Sequence, residues 1–326
     1  MNFFIRARTT LLATLISSCA LASESLPVKN EIEFAKLVKN QTNLPMTYII
    51  DQLKQVDYDA SIIKSINSPA ENRTWDWYKD HLITQKRIKD GVKYWLKHRQ
   101  ILNTARRRYG VNPGIIVAII AIETNFGKNE GHYPILNALG TLAFYNKSRS
   151  LFFQSELEKF LVLKHKYHWH HILSSYAGAF GIPQFMPGSF EKYATSKNAA
   201  RNVDIVHTHN SAILSIARYL SSHGWNKDQY VILPGHYSSP LTLKRLIQST
   251  RSEAGRRFFK KYHIKKAEEI QLIKLNTKTG NNYRLALPNF KCIETYNNSV
   301  NYAMAVNDLS RYIQYEIKRH HSDNIQ

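Results

Sequence analysis

Cysteine is nearly absent from this chain, which has two cysteines, Cys19 and Cys292, among 326 residues. Cys19 lies in an N-terminal segment with the features of an export leader, so Cys292 is the only cysteine certain to remain after processing. A single thiol cannot form an intrachain disulfide. The fold must therefore be stabilised by packing alone, for which 43% hydrophobic residues provide a sizeable core.

Acidic residues are also scarce, since 24 Asp and Glu stand against 45 Lys and Arg, a formal charge of +21. This excess is large enough to attract a polyanion such as nucleic acid, acidic lipid or a cell-wall polymer with carboxylates. Export argues against nucleic acid as the partner. No internal repeat or low-complexity tract is visible.

Long hydrophobic runs are missing after the leader, where no stretch approaches the roughly 20 apolar residues that a membrane span needs. Arg6 and Arg8 precede an apolar run from 9 to 21 that ends in an Ala-Leu-Ala cleavage sequence, which predicts a signal peptide at 1–22. The segment Ile16–Cys19 also fits a lipobox, in which Cys19 would be lipidated. Both a soluble periplasmic form and a lipoprotein attached to the outer membrane are therefore open.

The most informative stretch runs from Asn112 to Gly127 and predicts a buried helix that ends near a single acid, Glu123. Asn112 is a good N-cap, Pro113 suits the first helical position, and Gly127 can adopt the left-handed conformation that ends a helix. The residues between are apolar nearly all round, which indicates a helix in the middle of a domain.

Burial and the negative end of the helix dipole should both raise the pKa of Glu123. A carboxylic acid that keeps its proton near neutral pH suits a general acid, and protonation of a glycosidic oxygen is a common use of one. The alternative is a Glu paired with a structural Arg.

The rest of the chain predicts a mainly α protein with a small C-terminal sheet. Two or three short helices are expected between Glu31 and Ile66, and one long helix from Thr84 to Gly110. Turn residues at Thr279-Gly280-Asn281 predict a hairpin. Further helices are expected at 135–144, 152–163, 211–223, 243–262 and towards the C-terminus, where Tyr302, Val306, Leu309 and Ile313 share a face.

A second distinctive stretch, Ser174–Tyr193, is a compact turn of small residues around Gln184. It lacks the Gly-Lys-Ser/Thr ending of a phosphate loop. Such a segment is either a binding loop, with Gln184 exposed, or only a turn.

Four motifs, taken together, resemble the lytic murein transglycosylase B family. They are ETNFG at Glu123–Gly127, SYAGAFGIPQFMPGSF at Ser175–Phe190, RYLSSHGW at Arg218–Trp225 and YNNSVNYAMAV at Tyr296–Val306. The resemblance implies a lysozyme-like helical core and cleavage of the MurNAc-β-1,4-GlcNAc bond of peptidoglycan without water, leaving 1,6-anhydro-MurNAc ends. No cofactor and no metal are expected for this chain.

By this resemblance Glu123 is the lone catalytic acid and base. No second carboxylate accompanies it in its motif, whereas ordinary glycosidases use two. The nearest rivals, Glu156 and Glu158, lie in a predicted amphipathic helix, where a solvated face or a helix-end contact is the expected role. The resemblance also assigns substrate contacts, with stacking from Tyr and hydrogen bonds from Ser, Gln and Asn: Arg149, Ser175, Gln184, Phe185, Met186, Tyr219, Tyr296, Asn297 and Tyr302.

Two departures from the family pattern stand out. Ser148-Arg149 replaces a pair of arginines, so one charge contact to the substrate is expected to be lost. Ser196–Asn210 aligns with a calcium-binding loop of the family but retains almost none of its carboxylates, which a hard dication needs. Calcium is therefore expected to have no effect.

The predicted regions are a signal peptide at 1–22, an N-terminal helical region at 23–100, a catalytic core at 101–230 and a C-terminal region at 231–326 that completes the substrate cleft. A monomer bound to glycan strands is expected. The alternatives are a muramidase that admits water, a non-catalytic wall-binding module, and a metal enzyme that uses His165, His168, His170 and His171.

Overall fold

The computed structural model describes residues 31–68, 73–198, 203–235 and 252–323, with the single positions 245 and 248. The predicted leader, the lipobox at Cys19 and most of the segment 243–251 lie outside the described residues. The chain divides into two compact units, the first from residues 1–70 and 127–215 and the second from residues 71–126 and 216–326. Each unit thus combines two separate stretches of chain. The division into functional regions with boundaries near residues 100 and 230 stays a prediction.

Helices dominate both units, as the hydrophobic periodicity predicts. In chain order the helices of the described residues are α1 (Glu31–Gln41), α2 (Met46–Leu53), α3 (Ala60–Ile66), α4 (Trp75–Leu82), α5 (Gln85–Lys97), α6 (Arg99–Tyr109), α7 (Pro113–Thr124), α8 (Ile135–Tyr145), α9 (Ser150–Tyr167), α10 (Pro187–Tyr193), α11 (His209–Ser222), α12 (Glu253–Lys261), α13 (Pro288–Asn297) and α14 (Val300–Asp323), with a 3₁₀ turn at Ala267–Glu269. None of them is long and apolar enough to cross a membrane.

Two small antiparallel sheets complete the described structure. In the first unit β1 (Tyr133–Pro134) pairs with β2 (Leu173–Ser174). In the second unit β3 (Gln271–Thr277) pairs with β4 (Gly280–Ala286) in a register that places Thr277 opposite Gly280. This is the predicted hairpin, and its turn residues are Lys278 and Thr279.

The central helix α7 begins as the sequence predicts and ends slightly earlier. The Oδ1 atom of Asn112 accepts the backbone N–H of Gly114 at 2.8 Å, and Pro113 occupies the first turn. The left-handed residue that ends the helix is Asn125, with φ of 48°, rather than Gly127. An asparagine tolerates this conformation better than most residues do, so α7 ends at Thr124, three residues before the glycine.

Helix α7 forms the core of the second unit, where α5, α6 and α14 pack against it. Its residues from 113 to 121 are all buried. Helix α14 contributes the face predicted from Tyr302, Val306, Leu309 and Ile313, and all four side chains are inaccessible to solvent. An apolar helix surrounded by other helices is what the sequence of α7 requires.

The long helix predicted from Thr84 to Gly110 is in fact two helices. Thr84 caps the start of α5 through its hydroxyl, and Gly110 ends α6 with φ of 73°, both as predicted. The chain leaves helical geometry at His98, where φ is −107° and ψ is 19°. His98 is neither glycine nor proline, so nothing in the local sequence marks the break.

In the first unit α8 and α9 form the main helix pair, with α3 packed on α8 and α10 on α9. The predicted apolar face of α9, formed by Leu157, Phe160 and Leu161, is fully buried. Aromatic rings fill the space beside the turn that begins at Ser174: the Trp169 ring lies 5.4 Å from Phe180 and 5.3 Å from Phe190, in edge-to-face geometry. This packing provides a rigid support for the turn.

Candidate active site

Glu123 lies in the last turn of α7, where it is the only acid of that helix. The residue is partly exposed, but protein atoms surround its carboxyl group, and this burial raises its pKa to about 8. The hydroxyl of Tyr302, on α14, donates a hydrogen bond of 2.6 Å to Oε1 of Glu123 and opposes part of the rise. A carboxyl in this setting keeps its proton at neutral pH.

No Lys or Arg of the described ranges forms an ion pair with Glu123, so the structure does not support the alternative of a structural Glu–Arg pair. A neighbouring cation would have lowered the pKa of the carboxyl. The polar neighbour is instead a neutral phenol. This arrangement is suited to proton transfer rather than to structural charge pairing.

Three tyrosines from three helices gather beside this carboxyl. The rings of Tyr296 and Tyr302 are nearly parallel with centroids 6.4 Å apart, and Tyr219 meets Tyr296 edge to face at 4.9 Å. All three are buried, and the hydroxyl of Tyr219 donates to the carbonyl of Thr295 at 2.8 Å. Burial, followed by the charge of Glu123, raises the pKa of Tyr296 and Tyr302, so both phenols stay protonated.

Asn297 completes the predicted residues of the second unit, where it is buried at the end of α13. The next residue, Asn298, has φ of 35° and ends the helix. The tertiary structure therefore brings Glu123, Tyr219, Tyr296, Asn297 and Tyr302 into one unit, although they come from three distant parts of the chain.

The remaining predicted residues belong to the first unit, and most of them lie in the turn after β2. The Oγ atom of Ser175 accepts the backbone N–H groups of Ala177 and Ala179, both at 3.2 Å. Gly178 has φ of 83°, and a Cβ at that position would collide with Leu139. The serine hydroxyl and the glycine thus define the shape of the turn.

The expectation that the Gln184 side chain is exposed is wrong. Its backbone has φ of 52°, its side chain is buried, and its Nε2 donates to the carbonyls of Gly181 at 3.0 Å and Glu130 at 3.1 Å. Phe185 and Met186, which follow it, are buried as well. An amide that satisfies two backbone carbonyls inside the unit stabilises the turn, so Gln184 has a structural role whatever else it contacts.

Arg149, at the start of α9, is half-buried, and its guanidinium lies over the rings of Phe152 and Phe153 at 5.2 and 5.1 Å. Burial lowers its pKa, while the neighbouring Tyr176 raises it. An Arg held by aromatic faces presents its charge in a defined direction. Ser148, which precedes it, is exposed and donates its hydroxyl to Oδ1 of Asn146 at 3.1 Å.

The model of the transglycosylase SLT domain matches residues 29–311 of the chain. The chain belongs to this transglycosylase family. It is 32% identical over 283 residues to membrane-bound lytic murein transglycosylase B of Escherichia coli K12, a match that covers 81% of this chain and 76% of that protein. The family, the enzyme class and the mainly α fold predicted from the four motifs are thereby confirmed.

Solved structures agree with this assignment. The soluble lytic transglycosylase SltB1 of Pseudomonas aeruginosa superposes with a TM-score of 0.76 and 31% identity, covering 87% of this chain and 98% of that one. The E. coli lytic transglycosylase Slt35, solved in complex with calcium, gives a TM-score of 0.74 and 29% identity, with coverage of 87% and 92%.

The calcium of Slt35 has no matching ligand set in the described part of this transglycosylase. In the segment 196–210 the carboxylate of Asp204 accepts the N–H groups of Val206 and His207 and the hydroxyl of Thr208. Asp204 is the one carboxylate in the sequence of this segment and already accepts three hydrogen bonds, which is a poor ligand set for a calcium ion. No group of three or more His, Cys, Asp or Glu side chains that could hold a metal occurs among the residues described.

Glu156 is a structural residue of this transglycosylase whose burial went unrecognised in the sequence. Its Oε2 accepts the backbone N–H of Gly188 at 2.7 Å near the start of α10, which makes it a helix-end contact rather than a solvated side chain. Its position supplied a signal, because Glu156 lies one turn from both Phe153 and Phe160 on the buried face of α9. Glu158 is only half-buried.

Proposed function

We propose that this protein is exported to the periplasm, where it cleaves the MurNAc-β-1,4-GlcNAc bond of peptidoglycan and leaves 1,6-anhydro-MurNAc ends. The observation that carries the proposal is the carboxyl of Glu123, which has a pKa of about 8, a phenol donor at 2.6 Å and no cationic partner among the described residues. The E. coli relative, named a lytic murein transglycosylase, supports the choice of substrate.

In the first half of the reaction the protonated carboxyl of Glu123 gives its proton to the glycosidic oxygen. The bond between that oxygen and C1 of MurNAc breaks, and positive charge develops at C1. The hydroxyl of Tyr302 occupies Oε1 of Glu123, which leaves Oε2 to carry the proton. As the carboxylate forms, the Tyr302 hydrogen bond strengthens and stabilises it.

In the second half the same carboxylate takes a proton from the C6 hydroxyl of MurNAc. The C6 oxygen then bonds to C1, which closes the 1,6-anhydro ring and restores the protonated Glu123. One carboxyl with a pKa near the working pH can serve as acid and then as base. No water is consumed, so a second carboxylate to activate water is not required.

Substrate contacts are proposed on the same basis. Arg149, whose charge is oriented by two phenylalanine rings, would bind a carboxylate of the lactyl group or stem peptide. In the first unit, Ser175, Gln184, Phe185 and Met186 would contact the glycan strand, with the Gln184 amide acting mainly through the shape of the turn. Tyr219, Tyr296, Asn297 and Tyr302 would surround the acid.

Attachment to the membrane is a separate proposal. The E. coli relative is named membrane-bound and the P. aeruginosa relative soluble, so both states occur among similar proteins. Cleavage after Ala22 would release a soluble monomer, while lipidation at Cys19 would anchor it to the outer membrane.

Glu123→Gln tests the proposal, because it keeps the shape of the side chain but removes the proton that must be given and taken back. General acid–base catalysis contributes about 10²- to 10⁴-fold, and one group serves both steps here, so activity should fall to the upper end of that range. Glu158→Gln removes a half-buried carboxyl elsewhere and should keep wild-type activity. The measurement is the mass of soluble products from purified sacculi.

The product masses distinguish three outcomes. Anhydro fragments from the wild type and from Glu158→Gln, but not from Glu123→Gln, would support the proposal. Products heavier by one water from the wild type would identify a muramidase instead. Anhydro products released by Glu123→Gln at a comparable rate would place the acid elsewhere.

A further inference from the structure

A cleft of about 970 Å³ lies within the second unit, and none of the residues assigned to the reaction lines it. Its walls come from α4, from Gln85 at the start of α5, from the segment 232–235, from β4 and from one side of α14. A cavity of this volume is large enough for a ligand of several sugar rings or a short peptide.

The cleft lies on the side of α14 that faces away from Glu123. Met304, Asp308, Arg311 and Tyr315 line it and recur at spacings of four, three and four residues, which places them on one face of the helix. Tyr302, which contacts Glu123, falls on the opposite face of the same helix at about 100° per residue. A ligand in the cleft would therefore not contact the reacting carboxyl.

Positive charge predominates in the lining. The charged residues are Lys79, Arg284, Arg311 and Lys318 against Asp308 and Glu316. Burial raises the pKa of Asp308, while the hydrogen bond from Asn307 and the positive charges of nearby cations limit the rise. With four cations against two carboxylates, the net positive lining suits a ligand that carries carboxylates.

Two exposed aromatic rings stand at the same cleft. Tyr312 is 48% and Tyr315 60% exposed, although both belong to a helix whose other face is fully buried. The guanidinium of Arg319 lies 6.0 Å from the Tyr315 ring and covers part of it. Exposed tyrosines beside cations provide flat apolar surface for a sugar ring and charge for its acidic substituents.

We propose that this cleft is a second glycan-binding site, which binds a carboxylate-bearing saccharide segment of peptidoglycan away from the bond being cut. The identity of the polymer rests on the proposed function, whereas the chemistry of the ligand rests on the lining residues. A second attachment to the same polymer raises the effective concentration of substrate at the active site. The site should therefore affect action on intact sacculi more than action on short soluble strands.

The test measures retention on purified sacculi in the Glu123→Gln background, so that no substrate is consumed. Arg311→Gln and Tyr312→Ala change exposed residues and should leave the fold intact. Loss of one charge-assisted contact should weaken retention by about tenfold. Arg107→Gln, which removes an exposed charge from α6 outside the cleft, is the matched control and should retain the protein as before.

Activity provides the second readout, measured with Glu123 intact. Arg311→Gln should lower the rate on sacculi while keeping the rate on soluble strands of a few disaccharides. Equal behaviour of Arg311→Gln and Arg107→Gln would overturn the second site, even where the wild type releases anhydro products. Loss of retention on phosphatidylglycerol vesicles but not on sacculi would also overturn it, by assigning the cleft to lipid headgroups. A wild type without anhydro products would instead count against the proposed reaction alone.

Discussion

At the scale of single residues, the chemistry depends on the environment of one carboxyl. Burial raises the pKa of Glu123 to about 8 and the hydrogen bond from Tyr302 limits the rise. Because the folded pKa exceeds the unfolded value, the folded chain binds this proton more tightly. The associated stability is fully present below the unfolded pKa and is lost as the pH rises through about 8. At higher pH the buried, ionised carboxyl therefore destabilises the fold, and it does so at the position where a proton has to be transferred.

Tyr302→Phe should therefore change the pH dependence of the reaction as well as its rate. Without the phenol donor the ionised carboxyl loses stabilisation, so the pKa of Glu123 should rise by about one further unit. The alkaline limb of the kcat/KM profile should move to higher pH by the same amount, and the maximal rate should fall at least about tenfold. A pH series on soluble glycan strands measures both effects.

Tyr219→Phe is the control for this experiment, because its hydroxyl donates to the carbonyl of Thr295 rather than to Glu123. It should leave the position of the alkaline limb unchanged. If Tyr302→Phe lowers the rate without moving the limb, the tyrosine acts only through packing.

At the scale of secondary-structure elements, capping signals in the sequence predicted where helices begin, but not which other elements the helices contact. The caps at Thr84 and Asn112 act within three residues, so they can be recognised in the sequence. No local signal marks the break between α5 and α6, and Asn125 and Gly127 both adopt the left-handed conformation that can end α7. The start of helix α10 depends on a tertiary contact, because its Gly188 N–H is bound by a carboxyl on another helix.

Glu156 should accordingly matter for stability. Glu156→Ala leaves the backbone N–H of Gly188 without its acceptor inside the unit, which should lower the free energy of unfolding by about 1–3 kcal/mol. Glu156→Gln retains a carbonyl acceptor at the same place and should cost less than half as much. Urea unfolding of the two variants measures the difference.

Glu158→Ala, two residues away on the same helix, provides the comparison. Glu158 is half-buried, so its truncation should change the free energy of unfolding by no more than about 0.5 kcal/mol. Equal losses for Glu156→Ala and Glu156→Gln would mean that the hydrogen bond to Gly188 contributes nothing.

At the scale of the whole molecule, the net charge of +21 should govern attraction to the wall. Peptidoglycan carries carboxylates on its stem peptides, and the Debye length falls from about 10 Å at 0.1 M salt to about 3 Å at 1 M. Retention of the Glu123→Gln variant on sacculi should thus fall at least about tenfold between these two salt concentrations.

Chitin, a neutral polymer of GlcNAc, serves as the reference for this measurement. Binding to chitin should change little with salt, since it offers no carboxylates. Salt-independent retention on sacculi would show that contacts other than charge hold the protein to the wall.

The sequence by itself determined the helical class, the C-terminal hairpin, the buried helix α7 and the acid near its end, because periodicity, caps and turn residues act over a few neighbouring positions. Its four motifs also identified the family. Only the tertiary structure decided which partners these residues have. Tyr302 reaches Glu123 across 179 residues, Gln184 turns inward to two carbonyls, and Glu156 holds α10. Such contacts, and the pKa and cleft that follow from them, depend on long-range packing, which no local pattern encodes.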